Sequence, residues 1–206
     1  MIHPFKDGDQ LQYEHTVTEQ DLASFASGNV HPVYATFSVA RDAEWCCRLF
    51  VLEMKEADEE GIGNEVAALI AELQSTRGNV WWIKEMLPHD QLTAMLTAAD
   101  LFICPSIYEP LGIVNLEAMG CETAVLGSRV GGIPEVVADK ETGELVDYNG
   151  EAAPFEKALT ESITRLMSQP ELLKKYGAAG RVRAQKLFGW DAVAALTVDL
   201  YRRVIA

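Results

Sequence analysis

The sequence has no run of eighteen apolar residues, so it offers no segment long enough for a helix to cross a bilayer. It is also short of positive charge. Lys and Arg number 17 against 31 Asp and Glu, giving a formal net charge of −14. That balance argues against a nucleic-acid partner, because phosphate backbones reward surplus cations. An anionic small molecule is not excluded, since helix amino termini and a few local cations can hold a phosphate inside an acidic protein. The four cysteines, Cys46, Cys47, Cys104 and Cys121, lack the paired spacing of a zinc site. They read as buried thiols of a reducing compartment. No acidic pair with metal-ligand spacing appears, so no metal is expected. The opening Met1-Ile-His-Pro-Phe-Lys-Asp-Gly-Asp9 has neither the basic start nor the apolar centre of a secretory signal, and a cytoplasmic location is the expectation. What is present is ordinary for a folded domain: 206 residues, 49% apolar and 23% charged, with no repeats.

Two stretches of the chain differ in pattern. In the first, Gln10 to Val17 alternates as a strand would, and Thr18-Glu-Gln-Asp21 looks like the capping start of a short helix. Thr36 to Lys55 then runs without Gly or Pro. Its Phe37, Ala40, Ala43, Cys47, Phe50, Val51 and Met54 fall at helical spacing, which predicts one long helix. The acidic run Glu56 to Glu60 reads as a solvated linker.

From Glu65 the pattern becomes alternating helix and strand. Helices are predicted over 65–76, 91–99, from 115, and over 133–138; strands over 80–83, 101–104, 123–126 and 143–146. Helices over 154–167, 170–177, 178–188 and 190–204 close the chain, with Gly177 taken as a stop. Short apolar strands between helices predict an α/β fold, a partial Rossmann-like parallel sheet with flanking helices. Ligands of such open sheets bind beyond the carboxyl ends of the strands.

The segment after strand 101–104 carries chemistry. It reads Pro105-Ser-Ile-Tyr-Glu-Pro-Leu-Gly-Ile-Val-Asn-Leu-Glu117. Gly112 lets the backbone come close to a ligand. The residues after it begin a helix, whose first N–H groups have no partner within the helix and can face a phosphate. Glu117, about a turn inside, could accept hydrogen bonds from a ribose diol. Glu109, on the loop, would face whatever lies beyond the phosphate, and carboxylates suit sugar hydroxyls. Trp81 and Trp82 read as packing residues.

Glu109 and Glu117 with the intervening Pro-Leu-Gly resemble the Glu-x7-Glu motif of retaining glycosyltransferases with the two-domain GT-B fold. The wider run Ala98 to Met119 is similar to family-4 bacterial glycogen synthases. Trp82-Ile-Lys-Glu-Met-Leu-Pro88, Gly131-Gly-Ile-Pro-Glu-Val-Val137, Thr142-Gly-Glu-Leu-Val146 and Phe188-Gly-Trp-Asp191 continue the likeness in order. It covers residues 65–206, which would form the GT-B carboxyl-terminal, nucleotide-sugar-binding domain. It implies transfer of glucose from ADP-glucose or UDP-glucose, a substrate rather than a cofactor, to an α-glucan with retention. Glu109 would be catalytic and sit near the donor sugar. Leu111, Gly112, Ile113 and Val114 would hold sugar and diphosphate by their backbone, and Glu117 the ribose. The family's first domain, and the Gly-Arg and Lys-Gly residues that open its second, have no counterpart here. Lys6, Arg41, Arg48 and Lys55 stand in other contexts. Departing phosphate needs positive charge, so weak or no turnover by this chain alone is expected.

Residues 1–64 resemble something different. Phe25-Ala-Ser-Gly-Asn-Val-His-Pro-Val-Tyr-Ala-Thr36, then Glu44 and Gly61-Ile-Gly63, look like the first half of a hotdog-fold acyl-CoA thioesterase of the fluoroacetyl-CoA type. Thr36 and Glu44 would match its catalytic pair, with Glu44 on the long central helix. The later His of that family has no counterpart. A short α+β hotdog-like fragment joined to a partial transferase domain predicts a fusion with uncovered sheet edges, hence self-association. The rival readings are an acyl-CoA thioesterase-like protein and a nucleotide-sugar-binding module without turnover.

Overall fold

A computed structural model of the chain describes residues 33–40, 46–53, 60–76, 80–83 and 87–205. The described strands form one six-stranded sheet in the order β3-β2-β1-β4-β5-β6. They are β1 (Val33–Ala40), β2 (Cys46–Glu53), β3 (Val80–Ile83), β4 (Leu101–Cys104), β5 (Ala124–Ser128) and β6 (Gly143–Val146). β1 lies antiparallel to both β2 and β4, while the pairs β2–β3, β4–β5 and β5–β6 are parallel. The sheet is therefore parallel except for one reversed strand in its middle. β1 and β2 come from the first stretch of sequence and share this sheet with the strands of the second.

The long helix expected over Thr36 to Lys55 is instead the strands β1 and β2. The helical spacing of the apolar positions there is outweighed by composition. β1 reads Val-Tyr-Ala-Thr-Phe-Ser-Val-Ala, rich in the β-branched and aromatic residues that suit a pleated surface. Its pairing to β4, with Ala35 opposite Ile103, adds a tertiary constraint that no local pattern contains. Thr36 sits mid-strand, opposite Phe50 and Phe102. Glu44 lies outside the described residues, as do the predicted strand at 10–17 and the helix start at Thr18.

The helices are α1 (Glu60–Thr76), α2 (His89–Ala98), α3 (Ile113–Gly120), α4 (Ile133–Val136), α5 (Ala152–Met167), α6 (Pro170–Arg183) and α7 (Trp190–Ile205). A π-helical turn, Ala184–Phe188, links the last two. α1 starts inside the acidic run that was read as linker, where carboxylates favour the positive end of a helix.

β4 and β5 are buried at every position. Leu101, Ile103, Ala124 and Leu126 face one core, with Ile70, Leu73, Phe155, Leu159, Ile163, Leu166 and Tyr176. Phe102, Cys104 and Val125 alternate to the other, with Leu96, Ala118, Met119, Ile133, Val136 and Val137. Burial on both faces explains why these strands are short, unbroken apolar runs.

Gly177 does not stop a helix, because α6 runs through it. A Cβ there would stand 1.9 Å from the carbonyl oxygen of Glu122. The glycine exists for that contact: it lets α6 lie directly on the turn between α3 and β5. Among the described residues, no helix is long and apolar enough to cross a membrane.

α7 stands apart from these cores. None of its residues is buried, and Trp190, Leu196, Leu200, Tyr201, Val204 and Ile205 are all exposed.

Candidate functional site

The loops that follow β4 and β5 meet at the carboxyl edge of the sheet. Residues 105–112 leave β4, and residues 129–132 leave β5. The two loops are tied at their base, where the Ser128 hydroxyl donates to the carbonyl of Ser106. They are tied again at their tips, where the Gly132 N–H donates to the carbonyl of Glu109 at 3.0 Å.

Two glycines make that second contact possible. Gly131 has a φ of +50°, and a Cβ on it would fall 1.8 Å from the Glu109 carbonyl oxygen. On Gly132 a Cβ would fall 2.5 Å from the Cα of Leu111. The Gly131-Gly132 pair is therefore the seat on which the 109–111 backbone rests.

Gly112 is the residue before α3, with a φ of 86°, left-handed backbone that favours glycine. No side chain caps the amino terminus of α3 by accepting from its first turn. The Gly112 N–H itself donates to Glu109 Oε1 at 3.0 Å, which folds the Glu109 carboxylate back onto the helix start. The sequence motif thus brings Glu109 and Gly112 into contact, with exposed Leu111 and Ile113 and half-buried Val114 beside them. Helix dipole and unpaired N–H groups together make this end of α3 attractive to an anion.

Glu117 lies on α3, half-buried. Burial pushes its carboxyl above the usual carboxylate range, and the charge of His89, at the start of α2, pulls it partly back. The proximity of His89 to Glu117 is a product of the fold that the sequence did not show.

Two further features escaped sequence reasoning. Asn115 is completely buried, with neither its amide oxygen nor its nitrogen hydrogen-bonded to another nitrogen or oxygen. A polar residue inside Ile-Val-Asn-Leu was the available signal. Arg129, two residues before Gly131, holds its guanidinium against Asp139 at 2.7 Å and Asp147 at 2.6 Å. These hydrogen bonds push its pKa above the ordinary arginine value, so this cation is committed to structure. Among the described residues, no three His, Cys, Asp or Glu side chains gather as metal ligands would.

The family described as glycosyl transferases group 1 matches residues 60–183, more than half of the chain. The chain belongs to that family. The match begins at the first residue of α1 and ends at the last of α6, so it contains both loops of the site. A second family, described as fluoroacetyl-CoA-specific thioesterase, matches residues 17–75 and so takes in β1 and β2.

Among curated group 1 relatives, the α-maltose-1-phosphate synthase of Mycolicibacterium smegmatis is 43% identical over 180 residues. That is 87% of this chain and 45% of the relative. The D-inositol 3-phosphate glycosyltransferase of Streptomyces bingchenggensis is 37% identical over 112 residues, 54% of this chain and 23% of that protein. The chain spans less than half the length of these relatives. The sucrose-phosphate synthase structure from Thermosynechococcus elongatus superposes with a TM-score of 0.62 at 31% identity, covering 76% of this chain and 37% of that one. GT-B glycosyltransferases are thus the structural neighbours of this sheet and its site. Neither of these two relatives carries the name glycogen synthase.

Proposed function

We propose that this chain is the donor-binding half of a retaining glycosyltransferase that uses a nucleoside diphosphate hexose, ADP-glucose or UDP-glucose. The observation that carries the reading is the start of α3: a left-handed Gly112 whose N–H is held by the Glu109 carboxylate, no side-chain cap on the first turn, and Glu117 about a turn further in. A diphosphate would take the N–H groups of residues 112–114. Glu117 would accept from the ribose hydroxyls, and Glu109 would turn to the hexose. Glu117 accepts more strongly when ionised. With its pKa raised, binding should weaken on acidification sooner than an ordinary carboxylate would dictate.

The acceptor class divides into two readings. The glycogen-synthase likeness gives an α-glucan, whereas the name of the synthase at 43% identity gives a sugar-phosphate product, which fits a small phosphorylated acceptor. Both need a second domain to close the cleft, so the chain alone is proposed to bind donor with weak or no turnover. The boundary at residues 64 and 65 belongs to the same proposal. It is supported by two family matches that overlap only at residues 60–75. Thr36, as a thioesterase remnant, has no comparable geometric support.

Isothermal titration with ADP, UDP and their glucose conjugates tests the site. Saturable heat is expected with at least one pair, and Glu117→Ala should weaken nucleotide and conjugate alike by about tenfold, the value of one or two hydrogen bonds to a charged group. Silence from all four ligands in folded protein would end the proposal. An unaltered affinity in Glu117→Ala would remove the ribose assignment.

A further inference from the structure

Asn115 is an expensive residue where it stands. A buried amide without partners costs about 1–3 kcal/mol, which an apolar side chain of like shape would avoid. It is fully buried, and both its polar atoms lack a nitrogen or oxygen partner. As the third residue of α3 it projects back toward the helix start, as helical side chains do. Its Nδ2 lies 2.6 Å from where a Cβ on Gly112 would be, so it fills the space under that glycine. On its other side is the Cys104 thiol, at the end of β4, which takes only the weak hydrogen bond a sulfur can. The amide therefore touches both ends of the 105–112 loop: the residue where the loop leaves the sheet and the one where it enters α3.

The same loop holds a contact that a ligand must break. Glu109 Oε1 accepts the Gly112 N–H at 3.0 Å, occupying a donor that an incoming anion would need. Two negative groups cannot share that N–H at close range. Glu109 has to leave, and with the backbone tethered at the Ser106 and Glu109 carbonyls, the stretches between and after those two points are the parts free to adjust. Beyond that weak contact with the Cys104 thiol, the Asn115 amide has no nitrogen or oxygen partner, and this capacity is in place to receive an adjusted loop.

Resting on the donor-site reading above, we propose that Asn115 is a positioning residue of the donor loop. Its buried carboxamide takes up backbone groups of residues 105–112 when Glu109 gives the Gly112 N–H to a diphosphate. An amide without a nitrogen or oxygen partner is the cost of a binding-competent loop. Asn115 touches no ligand and acts through Glu109 and Gly112.

The test is a double-mutant cycle on the full chain, titrated with UDP and ADP and paired with thermal melts. Asn115→Leu should melt at or above the parent temperature yet bind the preferred nucleotide about tenfold more weakly. Glu109→Gln, which removes the competing charge, should bind nucleotide more tightly than the parent. In the Glu109→Gln background, Asn115→Leu should then have little further effect, because the release it assists is no longer needed. A merely structural amide would instead lower the melting temperature and weaken binding equally in both backgrounds. Equal losses, or an Asn115→Leu affinity like the parent's, would overturn the inference. Asn115→Ser, smaller than the native side chain, replaces Asn115→Leu if the leucine variant does not fold. If the parent chain gives no heat with either nucleotide, the donor-site reading itself falls and takes this inference with it.

Discussion

Replacing Gly131 with alanine is expected to abolish most of the proposed nucleotide-sugar affinity while the chain remains folded. The added methyl would stand 1.8 Å from the Glu109 carbonyl oxygen and 2.8 Å from its carbon. Both are backbone atoms, which cannot rotate away as a side chain can. That carbonyl is also the acceptor of the Gly132 N–H, so moving it breaks the contact that seats the loop. Strain at the φ of +50° adds about 1 kcal/mol and overpacking about 1–3 kcal/mol more. The loop, an exposed segment, is the part that yields. A displacement near 1 Å in a positioned group can cost on the order of a hundredfold, and a loss of that size is expected by titration. Gly150→Ala is the matching control. It too has a positive φ, +93°, but nothing within 4 Å of the new methyl. It should lose a little stability and no affinity. Equal affinities for the two variants would show that the Gly131 contact does not govern the loop.

The second large effect is expected at Glu144, in folding rather than binding. This carboxylate, 3% exposed on β6, accepts from Arg165 of α5, from Lys140 at 3.1 Å, and from the Tyr176 hydroxyl of α6 at 3.2 Å. It is the point where two helices are fastened to the edge strand. Burial alone pushes its pKa up, but the hydrogen bonds and charges of Arg165 and Lys140 outweigh burial, and the carboxyl ends below its ordinary value. A depressed folded-state pKa contributes stability that is present above the unfolded value and is lost as pH falls through the folded one. Tyr176 gives the opposite limb. Burial first, then the neighbouring Glu144 charge, pushes it up to about 12 from 10.0, so its contribution holds below the unfolded value and disappears as pH rises toward the folded one.

Glu144→Gln should therefore destabilise the chain by about 2 kcal/mol at neutral pH. That is less than the loss of a fully buried ion pair, because Arg165 and Lys140 remain 41% and 64% exposed and can rehydrate. The acid limb of its stability profile should flatten, and Tyr176 should ionise at lower pH than in the parent. Chemical denaturation across a pH series reads the first two and tyrosinate absorbance the third. A parent-like acid limb in the variant would show that Glu144 is not the group responsible.

How much of this was legible in the sequence depended on whether the information was local. β4 and β5 were readable because burial on both faces writes itself as short apolar runs, and the edge strands β3 and β6 because helix signals bound them. The Glu109-to-Glu117 motif was readable for its residue types and for its glycine. Residues 36–40 and 46–53 were misread because Phe37, Ala40, Cys47, Phe50 and Val51 fall at helical spacing. What decides for strands is β4, far along the chain. Gly177 was misread as a stop because the contact that requires it, the Glu122 carbonyl, belongs to another turn. The dependence of Glu109 on Gly131 and the burial of Asn115 were likewise invisible, since both arise only when β4 and β5 stand side by side.

The reversed strand β1 has a consequence for how the chain assembles. From β4 to β6 each strand pairs with the next after one intervening helix, so those contacts close short loops. The pairing of β1 with β4 joins Ala35 to Ile103 and must close a long one. Loop closure costs more entropy the longer the loop, and distant pairings form late. The β4–β5–β6 unit should consequently gain amide protection early in refolding, with the β1–β2 hairpin arriving last. Until it does, β4 presents an apolar, unpaired edge, the kind of surface that recruits strands from other molecules. Pulse-labelled hydrogen exchange would follow this order, and simultaneous protection of β1 and β5 would contradict it. Refolding yield should then fall with rising protein concentration during that interval, before the hairpin closes the sheet.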